Sequence, residues 1–212
     1  MNAATQLPLY VIIIGLLSQV LFASRTLVQW IISEKRREVV SPTLFWTLSL
    51  MGSMLMFTYG WMRNDFAILL GQVISYYIYI WNLGIKGVWR RLPVIVRWAI
   101  ALLPPIAFSV LAFQTDFEAL FLLNPEIPVW LIILGCSGQI IFTFRFIYQW
   151  IYSFIQGESQ LPSGFWWISL LGTAVIAIYG IIRLDPILIL GQSMGFIVYI
   201  RNLMIGHHAH RS

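Results

Sequence analysis

Two stretches of this chain, residues 19–33 and 139–153, carry the same polar side chains inside long apolar runs. Both follow the pattern Q-x2-F-x2-R-x3-Q-W-I-x-S, and the second copy lies 120 residues after the first. A helix of about 20 apolar residues crosses a bilayer, and each copy lies in a run of that length. Because an arginine and two glutamines are costly in such a segment, they are candidates for function. The rest of the chain is interpreted as the scaffold that brings the two copies together.

The composition favours a protein that lies almost wholly in a membrane. Of the 212 residues, 59% are hydrophobic and 10% are charged, whereas soluble domains carry roughly 25% charged residues. The net charge is +5, but the basic residues lie mostly at the ends of predicted helices, as in cytoplasmic loops that face anionic lipid. We therefore predict an all-α integral membrane protein with membrane lipid, and no nucleic acid, as a partner.

The apolar runs predict seven transmembrane helices. Basic residues follow the first and third helices, and an acidic loop at 114–127 follows the fourth. The positive-inside rule then places the amino terminus outside and the carboxyl terminus in the cytoplasm. Pro104 and Pro105 predict a kink or a break in the fourth helix. The predicted helices are 9–32, 43–62, 66–86, 95–114, 128–152, 165–183 and 186–205.

The repeat extends far beyond the first motif. Residues 15–83 align with 135–203 without a gap, and 26 of the 69 aligned pairs are identical. Each unit contains three predicted helices, and the fourth helix is unduplicated. Three helices plus one more crossing give both units the same orientation, so the repeats are predicted to be parallel. The predicted divisions are a first repeat (1–90), a linker helix with an outer loop (91–124) and a second repeat with a cytoplasmic tail (125–212).

The first helix of each repeat has a polar stripe. Successive residues of a helix turn by about 100°, so the shared polar side chains fall on one face, which we expect to line the bundle or a wet cavity. Arginine matches phosphate or carboxylate oxygens with its fork of donors; the alternative is that it snorkels to the headgroups. Two such arginines would repel each other unless an anion lies between them. The stripe residues are Gln19, Arg25 and Gln29, with their copies Gln139, Arg145 and Gln149.

The third helix of each repeat has a polar and aromatic face at helical spacing. For its asparagines, the alternative to substrate binding is packing hydrogen bonds between helices. Two tryptophans in the second helices are candidates for stacking on a substrate, with interfacial or packing roles as the alternatives. The faces comprise Gln72, Tyr79 and Asn82, then Gln192, Tyr199 and Asn202; the tryptophans are Trp46 and Trp166.

An Arg-x-Asp pair lies at the predicted outer turn of each repeat. We expect each pair to form an exposed ion pair or a helix cap, with an outer gate for a headgroup as the alternative. The residues are Arg63 and Asp65, then Arg183 and Asp185.

The motifs resemble two known families. The layout of three helices, a linker helix and three helices is similar to that of the SWEET sugar transporters of the PQ-loop superfamily. The motifs Q-x2-F-x2-R-x3-Q-W, FW-x2-S-x2-G, Y-G-x2-R-x-D and LGQ-x6-Y-x2-NL more closely resemble the LABN domain, found at the amino terminus of some lipid A disaccharide synthases. The chain looks like a stand-alone double form of that domain, which implies a bacterial inner membrane. The SWEET resemblance implies that Asn82 and Asn202 contact sugar.

Three functions are consistent with these observations. The first is a transporter or flippase for an anionic glycolipid, such as a sugar linked to polyprenyl phosphate or a lipid A-related molecule, with alternating access between the repeats. The second is a carrier of a neutral sugar. The third is a non-transporting subunit that positions a glycosyltransferase, with Lys35, Arg36 and Arg37 as the docking surface or merely as topology signals. The sequence has no metal-ligand spacing, catalytic triad or phosphate-binding glycine loop, so we predict no enzyme activity and no cofactor.

Overall fold

The computed structural model describes residues 8–114 and 128–209. Every regular element in these two ranges is a helix, so the predicted all-helical fold is confirmed there. Residues 115–127 of the acidic loop and residues 210–212 of the predicted cytoplasmic tail lie outside the described residues. The helices are α1 (Leu9–Arg36), α2 (Thr43–Met62), α3 (Phe66–Ile85), α4 (Val88–Arg91), α5 (Val94–Gln114), α6 (Val129–Gln156), α7 (Ser163–Ile182) and α8 (Pro186–Ala209).

Prolines and left-handed residues set the helix ends. Pro42 and Pro162 directly precede α2 and α7, where the missing N–H costs nothing. The chain leaves α1 at Arg37 with φ 56° and leaves α6 at Gly157 with φ 73°, a conformation that suits glycine. Helix α5 continues through the Pro104–Pro105 pair, so the alternative of a broken helix is wrong.

Within residues 8–114 and 128–209, five helices are long and apolar enough to cross a membrane, which indicates an integral membrane protein. These segments are Leu9–Arg36, Ile68–Ile85, Val129–Gln156, Ser163–Ile182 and Pro186–His207. Helix α2 contains serine, threonine and glycine residues that lower its hydropathy. The apolar segment of α5, Val94–Val110, is shorter than these five. The seven-span arrangement therefore stays a prediction for these two helices.

The two repeats pack in the same way. Helix α1 packs along α2 and α2 along α3, and the order recurs as α6 on α7 and α7 on α8. The repeats meet where α3 packs on α6 and where α1 packs on α8. Close approach within a repeat depends on small residues: a Cβ on Gly172 would lie 2.7 Å from the Phe142 Cα. Each first helix thus lies against its own repeat and against the last helix of the other repeat.

Candidate functional site

A cavity of ≈ 190 Å³ lies where the two repeats meet, walled chiefly by α1, α3, α6 and α8. Eight of the fourteen predicted binding residues line it, in four pairs related by the repeat. They are Gln19 and Gln139, Arg25 and Arg145, Gln72 and Gln192, and Tyr79 and Tyr199. The first and third helices of both repeats therefore supply the same polar groups to one space.

Arg25 of α1 is held at the cavity wall with its charge only partly compensated. The side chain is 6% exposed, and Nη1 donates to Ser49 Oγ at 2.8 Å and to the Tyr79 hydroxyl at 3.2 Å. Its buried Nε has no hydrogen-bond partner in the described structure. The guanidinium carbon lies 4.4 Å from the centre of the Phe22 ring, a cation–π distance. The neighbours are thus hydroxyls and aromatic faces.

Arg145 of α6 has the equivalent environment in the second repeat. It is 1% exposed, and Nη1 donates to Ser169 Oγ at 3.3 Å and to the Tyr199 hydroxyl at 3.0 Å. Its Nε is also buried without a described partner, and its Cζ lies 3.4 Å from the centre of the Phe142 ring. The repeat has therefore preserved a whole arginine pocket. Burial within the bundle argues against the alternative that these arginines snorkel to the headgroups.

One phenylalanine lies near both cations. The centre of the Phe146 ring is 5.6 Å from the Arg25 Cζ and 4.5 Å from the Arg145 Cζ. Neither arginine has a carboxylate within 4.0 Å among residues 8–114 and 128–209. Like charges in a low-dielectric cavity repel strongly, so the arrangement favours entry of an anion.

The glutamines of the stripe reach across the repeat interface. A Cβ added to Gly71 of α3 would lie 2.5 Å from Gln139 Oε1, and a Cβ on Gly191 of α8 would collide with the amide of Gln19. Each glutamine amide therefore lies directly against a glycine of the other repeat, and a side chain at that glycine would displace the amide. The two amides occupy the cavity wall next to the arginines, where they can donate to or accept from a ligand.

Four predicted binding residues instead join the two repeats. Gln29 donates to Asn202 Oδ1 at 2.8 Å and accepts from Asn202 Nδ2 at 3.1 Å. Asn82 and Gln149 form the same reciprocal pair at 3.1 and 3.0 Å. All four side chains are 0% exposed, and none lines the cavity. Because their donors and acceptors are already used in these bonds, the four side chains are packing amides in this structure rather than ligand contacts. This corrects their assignment to the binding site.

The two predicted tryptophans are core residues. Trp46 is 0% exposed and Trp166 is 1% exposed, and neither reaches the cavity. Trp46 Nε1 donates to Ser41 at 2.8 Å and to Ser159 at 3.1 Å. Trp166 Nε1 has no partner in the described structure, because its repeat-equivalent neighbours are Val39 and Leu161. The stacking and interfacial alternatives for these rings are therefore wrong in this conformation.

The two aspartates of the turns cap helices and bind the other repeat. Asp65 accepts from the Ile68 N–H at the start of α3 and from the Tyr179 hydroxyl at 2.8 Å. It is 3% exposed. The expected exposed ion pair within one repeat is not formed there, since the carboxylate is buried and bonded across the interface.

Asp185 has a stronger set of partners. It accepts from the Leu188 N–H at the start of α8 and from the Tyr59 hydroxyl at 3.0 Å. Arg63 Nη2 of the first repeat lies 3.4 Å from Asp185 Oδ2, whereas Arg183 has no carboxylate within 4.0 Å in the described part of the chain. The bonds to the two aspartates lie at one end of the helices, and the Gln–Asn amide pairs lie at the other. The repeat interface is therefore closed by hydrogen bonds at both ends.

Several residues of the site were missed at the level of sequence. Ser49 and Ser169, which accept from the arginines, are identical between the repeats, and that identity was the available signal. Phe146 and Thr143 line the cavity, but in the alignment of the two repeats they correspond to Thr26 and Ala23, which are different residue types. Because the repeat comparison selects shared residues, it could not find them.

Comparison with known proteins identifies the family. The family described as Lipid A Biosynthesis N-terminal domain matches this chain twice, over residues 14–84 and 134–204. The chain belongs to this family. The two matches coincide with the two repeats, so the predicted double form of the lipid A biosynthesis N-terminal domain is confirmed.

Curated relatives carry this domain pair as part of a longer protein. The chain is 31% identical over 207 residues to the Lipid-A-disaccharide synthase of Chlamydia pneumoniae, covering 94% of this chain and 34% of that protein. It is 29% identical to the enzyme of the same name from Chlamydia caviae, with coverage of 94% and 34%. The chain thus spans about a third of the length of these relatives. No solved structure matches it.

Proposed function

We propose that this protein is a transporter or flippase for an anionic glycolipid, with the phosphate of the lipid held between Arg25 and Arg145. The observation that carries the proposal is the pair of buried guanidiniums in one cavity without a carboxylate partner in the described structure. Phosphate oxygens would accept from the unpaired donors and relieve the repulsion between the cations. A sugar linked to polyprenyl phosphate or a lipid A-related glycolipid has the required charge.

The remaining polar groups of the cavity suit sugar hydroxyls. Gln19 and Gln139 lie at the interface, and Gln72 and Gln192 add two more amides to the lining. An amide both donates and accepts, as a hydroxyl does. We assign these four side chains to the sugar and the arginines with their tyrosines to the phosphate.

Movement would come from rocking of the two repeats. One end of their interface is held by the bonds of Tyr59 and Tyr179 to aspartates, and the other by the amide pairs of Gln29 and Gln149. Opening one end while the other stays closed is alternating access around a central site. In this proposal, the structure with both ends closed would lie between the two open states of the cycle.

Orientation and topology belong to the same proposal. We propose seven spans in the bacterial inner membrane, two parallel repeats within 1–90 and 125–212 and a linker region at 91–124. The cluster of Lys35, Arg36 and Arg37 after α1 would then be cytoplasmic. Alkaline phosphatase fused after residue 38 should be inactive and green fluorescent protein at the same site should fluoresce; the reverse pattern would refute the orientation.

A second candidate function is a non-transporting subunit of a glycosyltransferase. The fact that favours it is that the relatives contain the matching region within a longer synthase. The basic segment after α1 would then be the docking surface. A neutral-sugar carrier is less well supported, because Asn82 and Asn202 are engaged in amide pairs.

Translocation by the purified protein tests the proposal. Proteoliposomes are loaded with a polyprenyl phosphate sugar labelled with a fluorophore that dithionite bleaches. With the wild-type protein, bleaching should extend to probe from the inner leaflet. The double variant R25Q/R145Q should bleach only the outer leaflet, and R201Q, which breaks an exposed ion pair with Glu34, should behave as wild type. Wild-type proteoliposomes that bleach like empty ones would refute transport and favour the subunit.

A further inference from the structure

One side of the cavity is open to the outer surface of the bundle. Val20 of α1 is 59% exposed and Leu190 of α8 is 51% exposed, yet both also line the cavity. Leu16, one turn before Val20, is likewise exposed on the outer surface and lines the cavity. A side chain that faces outward and also borders the cavity marks an opening. The cavity therefore reaches the surface through the seam between α1 and α8.

The equivalent seam on the other side of the molecule is closed. The repeat counterparts of these three residues are Cys136, Ile140 and Leu70, and none of these described residues lines the cavity. Ile140 is 54% exposed, so it faces outward as Val20 does, but without a cavity behind it. Helices α3 and α6 also pack more extensively than α1 and α8. The opening is thus a property of one seam and not of the repeat.

The rim of the opening is apolar and belongs to helices suited to span a membrane. Both Leu9–Arg36 and Pro186–His207 have the length and composition of a span, so their outward faces would meet hydrocarbon. The cavity behind the rim contains the buried arginines. A ligand that fits both environments has an anionic head and a hydrocarbon chain.

The size of the cavity also indicates that the head group lies inside it and the hydrocarbon chain outside. At ≈ 190 Å³ it is smaller than the roughly 300–1,000 Å³ of sites that enclose a small-molecule ligand. It has room for a head group, and the rest of an amphiphile must lie outside it. The ends of the repeat interface are closed by hydrogen bonds, which leaves the α1–α8 seam as the exit for a chain.

We propose that the α1–α8 seam is a lateral portal through which the hydrocarbon chain of a phosphorylated lipid leaves the cavity while its head stays between Arg25 and Arg145. The placement of the head rests on the proposed function; the portal is a separate claim. Entry from the bilayer through this seam would let the lipid reach the arginines without opening either end of the bundle.

Binding of tritiated dodecyl phosphate to the protein in phosphatidylcholine nanodiscs tests the portal. Saturable binding is measured by scintillation proximity, with empty nanodiscs as the reference for probe dissolved in the bilayer. V20W fills the portal and should weaken binding at least tenfold. I140W places the same ring at the closed seam and should bind as wild type. Monodisperse elution and unchanged thermal unfolding of both variants establish that they fold.

A second matched pair guards against a folding defect. If V20W does not fold, L190W is compared with L70W, and the same tenfold contrast is expected. Equal binding by the portal variant and its control, with loss in R25Q/R145Q, would overturn the portal and leave the arginine site intact. Binding by R25Q/R145Q that equals the wild type would overturn the proposed head-group site and the portal together. Inorganic phosphate that competes as well as dodecyl phosphate would overturn the role of the chain.

Discussion

Replacing Asn82 with leucine is expected to destabilise the protein more than the same change at its repeat equivalent, Asn202. Both asparagines exchange two hydrogen bonds with a glutamine of the other repeat. Only Asn82 also accepts a bond from Ser159, at 2.7 Å, because the position equivalent to Ser159 is Val39. The two substitutions therefore differ by one hydrogen bond in otherwise matched surroundings.

The magnitude follows from the bonds that are lost. A net hydrogen bond contributes about 0.5–1.5 kcal/mol, and measured values within a membrane bundle average about 0.6 kcal/mol. Loss of the two amide bonds should cost about 1–2 kcal/mol at either asparagine. N82L should exceed N202L by about 0.5–1.5 kcal/mol, since Ser159 also loses its acceptor.

The free energy of unfolding in mixed micelles, with sodium dodecyl sulfate as denaturant, measures this difference. The variant S159V gives the second repeat the residue of the first, and in that background the two asparagine substitutions should cost the same. Equal costs in the wild-type background, or a difference that persists in S159V, would refute the assignment. Both variants should retain lipid binding, because neither asparagine lines the cavity; loss of binding without loss of stability would instead support a sugar-binding role.

Two further comparisons use the repeat as its own control. W46F should lower the unfolding temperature more than W166F, because only the Trp46 Nε1 has hydrogen-bond partners in the described structure; equal shifts by circular dichroism would contradict this. R63Q should cost about 1–3 kcal/mol, since it leaves the buried Asp185 without its cation, whereas R183Q should cost less; denaturant titration of the pair decides, and a larger cost for R183Q would show that the ion pairing is wrongly assigned.

The sequence was sufficient to predict the helices and the repeat, because both depend on local signals. Runs of apolar residues set the helices, and prolines such as Pro42 and Pro162 mark their starts. The polar stripe on α1 and α6 predicted that Arg25 and Arg145 face inward, and both are buried at one cavity. Helical spacing alone gave that result, since a charged face cannot be turned toward lipid without cost.

The division of that stripe between cavity and interface could not be predicted from sequence. Gln19 and Gln29 share a helix face, but Gln19 borders the cavity whereas Gln29 is sealed against Asn202. Which neighbour satisfies an amide depends on the height at which the other repeat packs, and helical periodicity carries no information about that height. The differences between the two halves of the cavity could not be predicted for a related reason. Phe146 is aligned with Thr26, and a comparison that selects residues shared by the repeats finds neither of them.

The identity of the lipid that stays with the protein tests the central claim most directly. Native mass spectrometry of gently purified protein, followed by fragmentation of the released ligand, identifies what remains bound. We expect one phosphorylated glycolipid per protein, absent from R25Q/R145Q and retained by R201Q, whose exposed ion pair lies away from the cavity. Bulk phospholipid alone, bound equally by all three proteins, would contradict the claim that the paired arginines form an anion site.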